Sequence, residues 1–249
     1  MARKPNKTRS STSRTTKRAK FIDVTKDILP EIVDVQLKNR LIAKSENQKL
    51  FIRAMLENEI TFCQGLAGSG KTHLAVGLAI EALLADNVEK IVITRPVVEA
   101  GERLGYLPGT AEEKLHPYLM PILDEINHFI TMSDYAKLKN DNKIEIVPLG
   151  LMRGRNFHSS FIVADECQNA TYDQIKMLIT RIGNNSRMVL TGDVGQSDLP
   201  RHNRDGFLDL ISALKDVEGI GIAYLESCDI IRNPIIGRIL EKLEYYEKT

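Results

Sequence analysis

The sequence predicts an α/β fold in which a mainly parallel sheet is flanked by helices. Three observations carry this. Short β-branched runs recur at 60–64, 90–94, 144–147, 161–164, 187–191 and 220–225, with helical patterns between most of them. The first run leads into a glycine-rich octet, residues 65–72, which opens an Ala/Leu-rich helical stretch from His73 to Ala85. The run at 161–164 ends in two acids, Asp165 and Glu166. With 249 residues, 43% of them hydrophobic, the chain is long enough for one such domain with a full core.

Taken in order, residues 1–20 read as a disordered basic tail and residues 21–249 as the folded domain. The tail holds eight cations and no acid, so the rest of the chain is −7 against a whole-chain charge of +1. Ser, Thr, Pro and Asn fill the gaps between the charges. Such a tail suits an electrostatic arm for nucleic acid; the plainer reading is a solvated extension. Residues 25–57 carry a helical pattern, with Ser45 as a helix cap and Gln48 three residues on. The stretch 95–143 shows no clear strand, is rich in Gly and Pro, and holds a helix around 121–131. Residues 234–248 read as an amphipathic helix.

No run approaches the roughly 18 apolar residues of a membrane-spanning helix, and the basic start is not followed by an apolar signal region. Cys63, Cys167 and Cys228 are odd in number and far apart. They fit reduced thiols, two of them in the core, in a cytoplasmic protein. The five histidines show no metal-ligand spacing.

The octet Gly65-Leu66-Ala67-Gly68-Ser69-Gly70-Lys71-Thr72 is a complete phosphate-binding loop. Its glycines let backbone N–H groups point at an anion, which then sits at a helix N-terminus. Lys71 reaches the β/γ-phosphates of such a ligand, and the Thr72 hydroxyl is placed to ligate Mg²⁺. The acids after the strand at 161–164 complete the pattern: Asp165 for Mg²⁺, Glu166 for the attacking water. Asp193 and Gln196 follow the strand at 187–191, where they meet the γ-phosphate or the water, or form an ordinary turn. Arg95 ends the strand at 90–94, where nothing local needs its charge. It contacts nucleic-acid phosphate, communicates with the nucleotide site, or is a surface arginine. Arg153, Arg155, Arg181 and Arg232 are candidates for stabilising the charge of phosphoryl transfer. Asn142-Lys143-Ile144-Glu145 is close to a guanine-reading motif, but it precedes a strand and ends in Glu, which argues against a GTPase.

In this order the motifs resemble those of PhoH-type ATPases, which are similar to the motor core of superfamily 1 helicases. The matching residues include Gln48, the octet 65–72, Thr94-Arg95-Pro96 with Glu99-Ala100-Gly101-Glu102, and Leu104-Gly105-Tyr106-Leu107-Pro108-Gly109. They continue with Asp165-Glu166-Cys167-Gln168-Asn169, Thr180-Arg181-Ile182-Gly183, Thr191-Gly192-Asp193 with Gln196, and Asp229-Ile230-Ile231-Arg232-Asn233-Pro234. The resemblance implies a P-loop NTPase with a single RecA/helicase-like core. It implies that Gln48 reads adenine, that Gln196 senses the γ-phosphate, and that Arg95 lies in a nucleic-acid-linked motif. His73, next to the loop, joins the nucleotide-binding set. Arg232 matches the family's late arginine. The chain has no second motor domain, so an arginine finger comes from Arg181, from Arg232 or from a neighbouring subunit. A homo-oligomer is implied, with a hexameric ring as one form. Some relatives carry a nuclease domain before the ATPase; here the basic tail stands in that place, so nuclease activity is not expected.

The function expected is therefore Mg²⁺-dependent ATP hydrolysis coupled to RNA or single-stranded DNA. The alternative is a nucleotide-gated switch acting on a protein partner, with slow hydrolysis as its timer.

Overall fold

The computed structural model describes residues 35–96, 111–200 and 206–230, with backbone alone at 111–118. The basic tail, the 97–110 motifs, Arg232 and the C-terminal helical pattern lie outside the described residues.

Six strands form one parallel sheet: β1 (Ile60–Gly65), β2 (Lys90–Arg95), β3 (Ile144–Pro148), β4 (Ser160–Ala164), β5 (Arg187–Gly192) and β6 (Ile220–Leu225). Each coincides with a β-branched run in the sequence. Their order across the sheet is β3-β2-β4-β5-β1-β6. Thus β5 lies between β1, which leads into the phosphate loop, and β4, which ends at the paired acids. The register sets Gln64 beside Gly192 and Ala164 beside Leu190, so these strand ends open onto one crevice.

The helices are α1 (Glu46–Glu57), α2 (Lys71–Leu84), α3 (Ala111–Phe129), α4 (Met132–Asn140), α5 (Tyr172–Ile179) and α6 (Gly206–Leu214). Strand residues alternate between two cores, as the period of two requires. Cys63, Ile91, Ile93, Phe161, Val163 and Val189 face a core built with α1 to α4. Phe62, Val92, Ile162, Met188 and Leu190 face the other, built with α5 and α6. A sheet covered on both faces is why its strands read as continuous apolar runs. Helix α2 is buried along almost its whole length. It packs so closely that a Cβ at Gly77 would lie 2.5 Å from Phe129 Cζ.

Two helix boundaries differ from the sequence pattern. Within the described part of 25–57, only Glu46–Glu57 is helical. Residues 38–41 spend their polar groups elsewhere: Lys38 N–H on Phe129 O (2.7 Å), Asn39 Nδ2 on His128 O (2.7 Å) and Leu41 N–H on Glu81 Oε1 (2.9 Å). A chain tied to α2 and α3 in this way cannot also close helical turns. Helix α3 begins ten residues before the expected start and runs through Pro117 and Pro121. A proline costs one helical hydrogen bond and crowds the preceding turn. That cost is offset where Ile122, Ile126 and Phe129 are fully buried against α2.

Candidate functional site

The crevice at the carboxyl ends of β1, β5 and β4 holds a cleft of about 390 Å³. It is lined by the phosphate loop and the start of α2, by Ile42, Lys44 and Gln48 on one side, and by Glu125 and Glu166 on the other.

The loop's shape follows from its sequence. Gly68 and Gly70 adopt φ of 82° and 92°, which other residues rarely do. Gly65 is needed for space rather than for its angle: a Cβ there would meet Leu225 Cβ at 2.7 Å. Gly70 caps α2 without a side-chain acceptor, so the first amides of the helix are left for an anion. Ser69 is buried and its hydroxyl closes the loop onto Leu66 O (2.8 Å). Lys71 Nζ donates to Gly65 O (2.7 Å) and Leu66 O (3.0 Å), so the ammonium lies over the loop with carbonyl acceptors only among the described residues.

Thr72 Oγ1 donates to Asp165 Oδ1 at 2.7 Å. From β5, Thr191 Oγ1 donates to the same oxygen at 2.7 Å. The motif residues 93 positions apart are thus in direct contact. Asp165 is 4% exposed, yet no basic side chain of the described residues lies within ion-pair distance of it. Glu166 follows in a left-handed conformation (φ 56°, ψ 38°), which turns its carboxylate to the cleft wall. Its Oε1 pairs with Arg95 (3.1 Å) and its Oε2 accepts from Gln168 Nε2. Arg95 thus touches the wall of the cleft through Glu166.

Gln48 is 2% exposed, and its amide joins α1 to the loop. Nε2 donates to Ser69 O (2.9 Å) and Oε1 accepts Lys44 N–H (2.7 Å). The helix-start pattern is therefore only half a capping box: Ser45 accepts from Gln48 N–H (3.1 Å), but the glutamine side chain is drawn to the loop instead of to Ser45. One amide hydrogen and one lone pair of Gln48 remain beyond these bonds. Asp229, from the late motif, anchors the same helix start by accepting from Asn47 Nδ2 (3.0 Å).

Other expected residues sit differently from the sequence reading. Asp193 does not face the cleft; its Oδ2 accepts Ala67 N–H (2.8 Å) and its Oδ1 accepts Gly195 N–H (3.1 Å), so it braces the loop from behind. Gln196 is exposed on a short 3₁₀ turn after β5, outside the cleft lining. His73 lines the cleft, but its Nδ1 is engaged with Glu125 Oε2 (2.8 Å) and its ring meets those of His128 and Phe129, each at 4.8 Å. Arg181 lies beyond the end of α5, where its backbone pairs with Phe157 ahead of β4. That is the amino end of the strands, away from the cleft. Arg155 is committed to Glu145 through two 2.7 Å bonds and lies over the Phe157 ring. With Lys90 at 2.6 Å on the same carboxylate, these bonds hold Glu145 down at about 2 despite burial. Burial pushes the Cys63 and Cys167 thiols up, as core cysteines should be.

Three contributors escaped sequence reasoning. Gln168 was visible within the Asp165-Glu166-Cys167-Gln168 run but had no stated task; it is buried and accepts Asp193 N–H (2.9 Å) while holding Glu166. Glu125 and Ile42 gave no signal, because only the packing of α3 and of the extended 35–45 segment brings them to the cleft.

A glycine loop whose amides open onto a helix start, with a hydroxyl and a carboxylate meeting beneath it, belongs to the P-loop nucleotide-binding proteins of ATPase type. Within that class the match is specific: the family model described as PhoH-like protein covers residues 40–244, and the chain belongs to this family. A PhoH-like protein of Synechocystis sp. is 44% identical over 83% of this chain and 63% of its own length. One of Mycobacterium tuberculosis is 44% identical over 82% of this chain and 58% of its own. The chain thus spans about three-fifths of the relatives it matches. Among solved structures, a Bacteroides Pif1 bound to ssDNA aligns over 83% of this chain and 47% of that one, at 14% identity and a TM-score of 0.39. No helix among the described residues is long and apolar enough to cross a membrane.

Proposed function

We propose that this chain binds ATP with Mg²⁺ and hydrolyses it, and that RNA or single-stranded DNA stimulates the hydrolysis. The observation that carries the reading is the 2.7 Å contact of Thr72 with Asp165 at the foot of the phosphate loop, with Glu166 next in the chain. Two oxygen donors, one of them anionic, with no basic side chain of the described residues on the carboxylate, suit a hard divalent cation. Thr72 and Asp165 would hold Mg²⁺, which would supply positive charge against the phosphate oxygens.

The chain's own groups do the rest by position and charge. Lys71 exchanges its two carbonyl acceptors for phosphate oxygens. Loop amides and the start of α2 hold the remaining phosphate charge. Gln48 offers its spare amide hydrogen and lone pair to the adenine edge, beside Ile42. Glu166 accepts a hydrogen bond from the attacking water and aligns it. Asp193 keeps the loop in shape, Gln196 senses the γ-phosphate from the turn after β5, and His73 supports the start of α2. Arg95 meets nucleic-acid phosphate. The developing charge is met by Arg232, or by Arg181 of a neighbouring copy in a homo-oligomer, and residues 1–20 act as a nucleic-acid arm on the domain that begins at residue 21.

The test is steady-state ATP hydrolysis with and without single-stranded RNA and DNA, comparing the full chain with one that starts at Phe21. Stimulation that weakens on tail removal and at higher salt supports the reading. Hydrolysis indifferent to both polymers moves the function to a switch with a protein partner.

A further inference from the structure

We infer that Arg95 is a positioning residue that restrains Glu166, and that a nucleic-acid phosphate releases this restraint by competing for the guanidinium. The inference rests on the reading of Glu166 as the group that aligns the attacking water, and it supplies the link between polymer and hydrolysis that the reading leaves open.

Both oxygens of the Glu166 carboxylate are already engaged. Oε1 faces Arg95 at 3.1 Å, and Oε2 accepts from the Gln168 amide. The two restraints differ in kind. Gln168 is 1% exposed and fixed by Asp193 N–H at 2.9 Å, and Asp193 in turn accepts from Ala67 of the phosphate loop at 2.8 Å. That side of the clamp is tied into the nucleotide site. Arg95 is the last residue of β2, and its side chain is 23% exposed, against 35% for Glu166. That side is within reach of an anion arriving from solvent.

A carboxylate oxygen shared with a guanidinium accepts a water hydrogen less readily than one that is not. A phosphodiester oxygen binds the same planar donors as the carboxylate does, so the two compete. When phosphate takes Arg95, Gln168 alone holds Glu166, and Oε1 turns to water. By linkage, whatever favours the released carboxylate also favours the phosphate contact.

The experiment measures steady-state ATP hydrolysis for the parent, Arg95→Ala and Arg95→Lys, each without polymer, with oligo-uridine RNA and with oligo-thymidine DNA. Affinity for a fluorescent ADP analogue reports an intact loop in each. Arg95→Ala should raise the polymer-free rate about two- to fivefold, the population change that a partly exposed ion pair controls, and should lose most of the stimulation by either polymer. Arg95→Lys, which keeps the charge, should restore both toward the parent. Should Arg95→Ala lose nucleotide affinity, Arg95→Gln takes its place under the same criteria. A polymer-free rate at or below the parent's, or undiminished stimulation, overturns the restraint. If the parent itself ignores both polymers, nucleic-acid coupling fails as well, whereas a stimulated parent with an unraised Arg95→Ala rate sinks the restraint alone. Response to only one polymer identifies the source of the phosphate.

Discussion

The two ends of the same strands carry charge in different ways. At the amino end Glu145 takes two hydrogen bonds from Arg155 and a third contact from Lys90, and Arg187 donates to Met55 O (2.9 Å) and Asn58 O (2.5 Å). Glu145 is matched by two cations, and Arg187 is held by carbonyls of α1 and of the residue after it. At the carboxyl end Asp165 has hydroxyl donors, Lys71 has carbonyl acceptors, and no ion pair joins them among the described residues. Asp165 and Lys71, neither of them in an ion pair among the described residues, keep their charge for the ligand of the proposed function, while the neighbouring Glu166 is paired with Arg95 at 3.1 Å. The amino end spends its charges within the fold; on the proposed function, the carboxyl end holds Asp165 and Lys71 for chemistry.

Removing a reserved group should therefore hurt function far more than folding. Lys71→Ala should lose nucleotide binding. Glu166→Gln should keep it within a fewfold while turnover falls about 10²- to 10⁴-fold, the usual worth of a positioned base. Titration with a fluorescent nucleotide and single-turnover hydrolysis separate the two. A Glu166→Gln protein that turns over at the parental rate breaks the role given to this side chain.

A smaller effect tests the hydroxyl from β5. Thr191 is fully buried and donates to Asp165. Thr191→Val keeps its shape and removes that bond. The cation requirement of hydrolysis should then rise about tenfold, the lower range for loss of a support behind a metal ligand, with a stability loss of about 1 kcal/mol. An unchanged Mg²⁺ titration would place the cation somewhere other than on Asp165.

At the amino end the ordering reverses. Glu145→Gln should leave nucleotide affinity and turnover at parental values and cost about 1 kcal/mol of stability at neutral pH, after allowance for solvent around the pair. The sign with pH follows from its lowered carboxyl. The stabilisation is complete above the ordinary value of 4.5 and is lost as pH falls toward about 2. Thermal unfolding between those limits should show a shallower acid limb in the variant; equal slopes would mean that the triad of charges contributes nothing.

What the sequence disclosed follows the same division. The strands were legible because both faces are buried, and Thr72, Asp165 and Glu166 because their spacing from the phosphate loop is local to strand ends. Residues that act across the fold were not. Gln168 looks like any polar residue after a strand, and its task exists only because β5 places Asp193 N–H beside it. Of the two readings of Asp193, phosphate contact or an ordinary turn, its hydrogen bonds make the turn: one carboxylate oxygen accepts Gly195 N–H, its carbonyl accepts Gln196 N–H, and its other carboxylate oxygen takes the loop amide of Ala67. The helical pattern over 35–45 failed because apolar spacing says nothing about hydrogen bonds made to α2 and α3.

Arg181 gives the smallest expected effect and the sharpest test of where the boundary between the two ends lies. Its guanidinium donates to Met177 O (3.2 Å) and Thr180 Oγ1 (3.1 Å), both within its own helix end, and the residue is only half-buried. It stands on the amino side of the sheet, so within one chain it cannot reach the γ-phosphate position without unwinding α5. Arg181→Ala should accordingly leave nucleotide affinity, and the turnover of protein dilute enough to be monomeric, at the parental values. If turnover drops only at concentrations where light scattering shows an assembly, the arginine serves a neighbour's cleft. A drop in the monomer would mean that the amino end of the sheet takes part in the chemistry, and the division between a structural end and a reactive end would fall.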